Sequence, residues 1–91
     1  MNKTEARLLL SRELNIAAAR SFSELRAGIG CTEVKTILGD SGAAYQLEIE
    51  IFWDDQPQGN LRIAGAIDDG GWRAFVPLTE SRLKKPDRAL G

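Results

Sequence analysis

The chain has 91 residues, with 12 Lys and Arg against 13 Asp and Glu, no His and a single Cys, Cys31. That length supports one domain with a modest core, and the composition excludes an intrachain disulfide and the Cys/His zinc patterns. No basic segment leads into an apolar run, and nothing approaches the roughly twenty apolar residues of a membrane span. The expectation is therefore a soluble cytoplasmic protein with no cofactor and no membrane role.

The first element in chain order is a helix over about residues 4–20. Ala6, Leu10, Leu14 and Ala17 recur at spacings of three and four with no Gly or Pro between them. Asn2 and Glu5 have the spacing of a capping box. Leu9 and Ile16 are expected to widen the buried face, which leaves Leu8 pointing outward toward a neighbouring chain. Ser21 and Glu24 form a second capping box, so the helix breaks there and restarts as a short turn over 21–28. Gly28-Ile29-Gly30 lacks the third glycine of a dinucleotide fingerprint and follows a helix where that motif needs a strand. Cys31 is expected to be a small buried hydrophobe.

A β meander over 33–78 comes next. Glu33 to Leu38 forms its first strand, with Val34, Thr36 and Leu38 on one side, and Asp40-Ser41-Gly42 turns the chain. From Ala44 to Trp53 the residues Tyr45, Leu47, Ile49, Ile51 and Trp53 alternate with Gln46, Glu48, Glu50 and Phe52. Such a period of two marks a strand with one wet and one buried face. Leu61 to Ile67 is the third strand, in which Gly65 marks a bulge or a sharp bend. Asp69-Gly70 has the composition of a type I′ hairpin turn leading into a fourth strand, Trp72 to Val76, which Pro77 stops. Residues 79–91 read as a basic tail. The fold class is α+β: an N-terminal helix followed by a bent four- to five-stranded antiparallel meander, with Leu10, Leu14, Leu47, Ile49, Ile51, Ile63 and Ile67 buried.

Charge is segregated along the chain. Residues 1–30 carry a net charge of plus two, residues 31–70 minus six, and residues 71–91 plus three. An acidic sheet is thus flanked by basic ends. The pairs Asp54-Asp55 and Asp68-Asp69 fall at opposite ends of the third strand, too far apart for one acid/base pair, and suit turns. A divalent cation around Asp54, Asp55 and Asn60 is the alternative reading there. No nucleophile has an identifiable base, so no enzyme activity and no catalytic residue are expected. The most suggestive constellation is Arg62, Trp72 and Arg73, with Tyr45, Phe52 and Trp53 on neighbouring strands. Aromatic faces beside guanidinium groups stack single-stranded bases.

An N-terminal helix followed by a bent meander resembles the Sm-like proteins in layout, over roughly Thr4 to Leu78. Within it, Leu61-Arg62-Ile63-Ala64-Gly65-Ala66-Ile67-Asp68 is similar to the glycine-containing strands of the Sm motifs. The resemblance implies a small Sm-like or SH3-like barrel that assembles through strand edges into a ring and binds single-stranded RNA around its pore. Two functional expectations follow. One is a homo-oligomeric nucleic-acid-binding module using Arg62, Trp72, Arg73 and the basic ends. The other is a protein-interaction or structural module that docks a partner on its acidic sheet.

Overall fold

The structure, a computed structural model, describes residues 1–71 and 76–87. Helix α1 (Lys3–Ala18) begins where the Asn2 side chain accepts a hydrogen bond from the Glu5 amide at 3.1 Å, which satisfies one orphan donor of the first turn. The Ser21 hydroxyl accepts from the Glu24 amide, also at 3.1 Å, and opens the short helix α2 (Phe22–Ala27). Both caps were legible in the sequence.

Four strands follow: β1 (Glu33–Leu38), β2 (Ala44–Trp53), β3 (Leu61–Asp68) and β4 (Leu78–Lys84). They form one antiparallel sheet in the order β1-β2-β3-β4. Among the described residues this sheet is open, with β1 and β4 as its two edges, so the expected barrel is not closed.

The fourth strand differs from the expectation. It starts after Pro77 and runs through residues 79–84 of the segment read as a basic tail; of the expected strand, residues 72–75 lie outside the described residues and Val76 is in a bend. The register explains why no hydrophobic period revealed β4. Leu78, Glu80, Arg82 and Lys84 stand beside the inward residues Ile67, Gly65, Ile63 and Leu61, so its inward side is mostly charged.

Helix α1 crosses β3 and β4 and reaches β2, while α2 lies against β2 and β3. The core joins Ala6, Leu9, Leu10, Leu14 and Ala17 of α1 to Phe22 and Leu25 of α2 and to the inward residues of β2 and β3. All seven residues expected to be buried are buried, and Leu8 points outward. Two expectations need correction. Ile16 is exposed, because a seven-residue step drifts about 20° around a helix and carries it past the rim that Leu9 still covers. Cys31 is exposed too; it follows Gly30, whose φ of +89° turns the chain, and it leads into an edge strand.

Gly65 is neither a bulge nor a corner. The ladder runs through it without interruption, with Ile49 on one side and Glu80 on the other. What it supplies is clearance: a Cβ at this position would stand 2.9 Å from Leu10 Cδ1 and 3.0 Å from Leu14 Cδ2. Polar contacts fasten α1 on either side of that seat. Glu13 pairs with Lys35 of β1 at 3.0 Å, and beyond the helix Arg20 pairs with Glu33 at 3.0 Å. On the other edge Arg82 donates to Asn15 Oδ1 and Ser11 Oγ, each at 3.0 Å. Lys84 donates to the Ala18 carbonyl at 3.0 Å, a cation at the negative end of the helix. Both edge strands therefore carry inward charges, a common protection against edge-to-edge pairing.

Glu5 does not complete its capping box. Its carboxylate instead accepts from the Ser41 amide at 3.0 Å, the Ser41 hydroxyl at 2.6 Å and the Tyr45 hydroxyl at 2.7 Å. This clamp ties α1 to the β1–β2 turn. The same bonds, from the Ser41 and Tyr45 hydroxyls first, hold the Glu5 carboxyl below its ordinary value of 4.5. The Tyr45 phenol is pushed up to about 12 from 10.0, first by its bond to Glu5 and then by burial.

Two outcomes are expected. Gly65→Val should destabilise the fold by about 1 to 3 kcal/mol through overpacking, and Leu14→Ala in that background should cost less than in the wild type; urea denaturation of the four chains measures both. The clamp should also make stability depend on pH. A lowered carboxyl contributes fully above its ordinary 4.5 and loses that contribution as pH falls through the lowered value. A raised phenol contributes fully below 10.0 and loses its contribution as pH rises toward about 12. Denaturation midpoints should thus fall on both flanks, and Glu5→Gln should flatten the acid flank; an acid flank unchanged in that variant would refute the assignment.

Candidate functional site

One face of the sheet is covered by the helices and the other is not. Register places the uncovered residues in rows across the strands. One row runs Val34, Glu48, Ala66, Thr79; the next holds Glu50, Ala64 and Ser81; the third holds Phe52, Arg62 and Leu83. Ala64 and Ala66 are small, so β3 forms a low floor between the glutamates of β2 and the hydroxyls of β4. The result is a shallow groove of about 560 Å³, with Phe52 and Arg62 at one end.

The electrostatics of this groove follow from the period of two. Glu48 and Glu50 stand on the same side of β2, about 7 Å apart, and both are exposed. Among the described residues neither takes part in an ion pair. Val34, Leu38, Phe52 and Leu83 add exposed apolar surface around them. The face is therefore acidic at its centre and apolar at its margins.

Arg62 is the one candidate nucleic-acid residue among those described, and its guanidinium is engaged within the fold. Nε and Nη2 donate to Asp54 Oδ1 at 2.9 and 2.8 Å, and Nη1 donates to Ser81 Oγ at 2.8 Å. It therefore ties the β2–β3 loop to β4 and brings no uncompensated positive charge to the face. Trp72 and Arg73 lie outside the described residues. The other aromatics divide between the faces as the alternation requires. Tyr45 is buried at the Glu5 clamp, and Trp53 packs on Phe22 with ring centroids 6.2 Å apart. Phe52 alone of them reaches the groove.

The acidic pairs carry out turn chemistry. Asp68 and Asp69 accept from the Gly70 and Gly71 amides at 2.8 and 3.2 Å, and the Gly71 amide is the main reason that the Asp69 carboxyl titrates below its ordinary value. Asp54, one of the three residues considered for a cation, has Arg62 as its counter-charge. Sequence reasoning missed Thr79 and Ser81 as parts of the face, because β4 carries no hydrophobic alternation to reveal it. Its one available signal was the short β-compatible run between Pro77 and Pro86.

Among the described residues no helix is long and apolar enough to cross a membrane. Comparison of the chain with models of known protein families, with curated proteins and with solved structures gives no match.

The role given to Arg62 is measurable. Arg62→Ala and Asp54→Ala should each destabilise by about 1 kcal/mol, and the double variant should cost less than the two together, since charge-assisted bonds at half-exposed sites are of that order. Strict additivity in thermal or urea denaturation would remove the pair from the account.

Proposed function

We propose that this chain is a non-enzymatic binding module that docks a positively charged partner on the uncovered face of its sheet. The observation that carries this reading is the groove over Ala64 and Ala66, where Glu48 and Glu50 have no counter-charge among the described residues. On the covered side Glu33, Lys35, Arg82 and Lys84 reach Arg20, Glu13, Asn15 and Ala18 in or beside the helices. Apolar side chains beside two free carboxylates suit a segment that alternates Lys or Arg with apolar residues, and complementary charge speeds and selects such encounters.

Single-stranded RNA binding through Arg62, Trp72 and Arg73 is the competing reading. An acidic face works against a phosphate backbone, since affinity for that backbone rests on uncompensated Lys and Arg. An Sm-like ring would pair β1 of one copy with β4 of the next, and inward charges guard both of these edges.

A fluorescent peptide alternating Lys with Leu, titrated beside a single-stranded RNA oligonucleotide of similar length, tests the proposal. The peptide should bind and weaken with salt, and Glu48→Gln with Glu50→Gln should reduce its affinity about tenfold, or 1.4 kcal/mol. RNA binding without peptide binding, abolished by Trp72→Ala, would replace this reading with the nucleic-acid one.

A further inference from the structure

The outer side of α1 has the complementary character. Leu8, Arg12 and Ile16 are four apart and lie along one ridge, with about 12 Å of helix axis between the first and the last. Leu8 is 68% and Ile16 56% exposed, a large apolar display for a helix whose opposite side already fills the core. Arg12 stands between them, exposed and without an acidic partner among the described residues, and Arg7 is a second such cation on the same helix. The ridge therefore reads apolar, cationic, apolar. The groove offers the complementary groups: Glu48 and Glu50 stand side by side on β2, Phe52 is the next residue on that face after Glu50, and Val34 of β1 lies beside Glu48 at its margin. From Glu50 to Phe52 is about 7 Å at 3.3 Å per residue, close to the roughly 6 Å of helix axis between Arg12 and either apolar residue of the ridge.

Resting on the proposed use of the sheet face, we infer that its partner is a second copy of this chain, which lays the Leu8–Arg12–Ile16 ridge of α1 into the groove. The ridge and the groove lie on opposite sides of the molecule, because α1 separates its own outer side from the sheet. The contact is therefore head to tail, and repeated contacts close into a ring or extend as a filament. Packing of two sheets face to face is the alternative arrangement of two copies. It would set Glu48 and Glu50 against their own counterparts, and like charges in apposition are repulsive.

Sedimentation velocity and light scattering on the full chain test the inference. The wild type should exceed the monomer mass, either at a fixed ring size or with a mass that grows with concentration, and it should dissociate as salt rises. Two surface variants supply the decisive arm. Glu48→Arg with Glu50→Arg removes the groove and leaves the ridge; Leu8→Ser with Ile16→Ser removes the ridge and leaves the groove. All four positions are exposed, so both variants should keep the wild-type circular dichroism. Each alone should be monomeric at concentrations at least tenfold above those at which the wild type assembles, and the two mixed should form a 1:1 heterodimer that grows no further. A wild type that stays monomeric while the Lys-Leu peptide still binds overturns the second copy as partner and leaves the sheet-face reading standing. Loss of both overturns both. An assembly that survives either variant, or a mixture that forms no complex, also overturns the inference.

Discussion

The structure depends on how closely α1 approaches the sheet at Gly65. A side chain there would collide with Leu10 and Leu14, the two fully buried leucines of the helix, and would lift it from β3. With glycine in place, both leucines lie directly on the backbone of a strand that is still fully paired on either side. Dispersion contacts fall off steeply with separation, so this seat sets the height of the whole helical layer. It also sets the reach of the polar side chains at its margins: Glu13 meets Lys35, and Asn15 and Ser11 meet Arg82.

A division of polar chemistry between the two faces follows from that geometry. On β4, Arg82 and Lys84 sit half-buried at the rim of the core, where an uncompensated charge is costly, and both reach polar groups of α1; on β1, Glu33 and Lys35 are more exposed and are paired as well. Glu48 and Glu50 face water, where no such cost compels a partner. Free carboxylates on an open face are therefore stable to fold with and available to bind with. Arg62 is the exception on that face, since Asp54 and Ser81 make it a local tie.

The Glu5 clamp shows the same economy at the other end of the helix. Capping-box spacing offered Glu5 a partner in its own first turn, yet the carboxylate turns to Ser41 and Tyr45, where it accepts three hydrogen bonds in place of one. One side chain thereby fixes the start of α1, the β1–β2 turn and the buried phenol of Tyr45. Gly39 belongs to this arrangement, because a Cβ there would meet the Glu5 carboxylate.

By itself the sequence determined every feature that depends on near neighbours: both helix caps, the bounds of β1 and β2, the turn roles of Asp68 and Asp69, and the wet and dry faces of β2. Each is written in residues a few positions apart, since capping, turns and alternation are short-range physics. Tertiary structure decided what depends on partners distant in the chain. β4 was illegible because its inward side is satisfied by helix polar groups almost seventy residues earlier, leaving no apolar period to read. Gly65 was recognised as unusual, but whether it bends a strand or admits a helix depends on Leu10 and Leu14. Arg62 looked available for phosphate until Asp54 and Ser81 were brought to it. The groove itself exists only once three strands align Glu48 and Glu50 with two alanines and two hydroxyls, and register across strands is set by the assembled sheet.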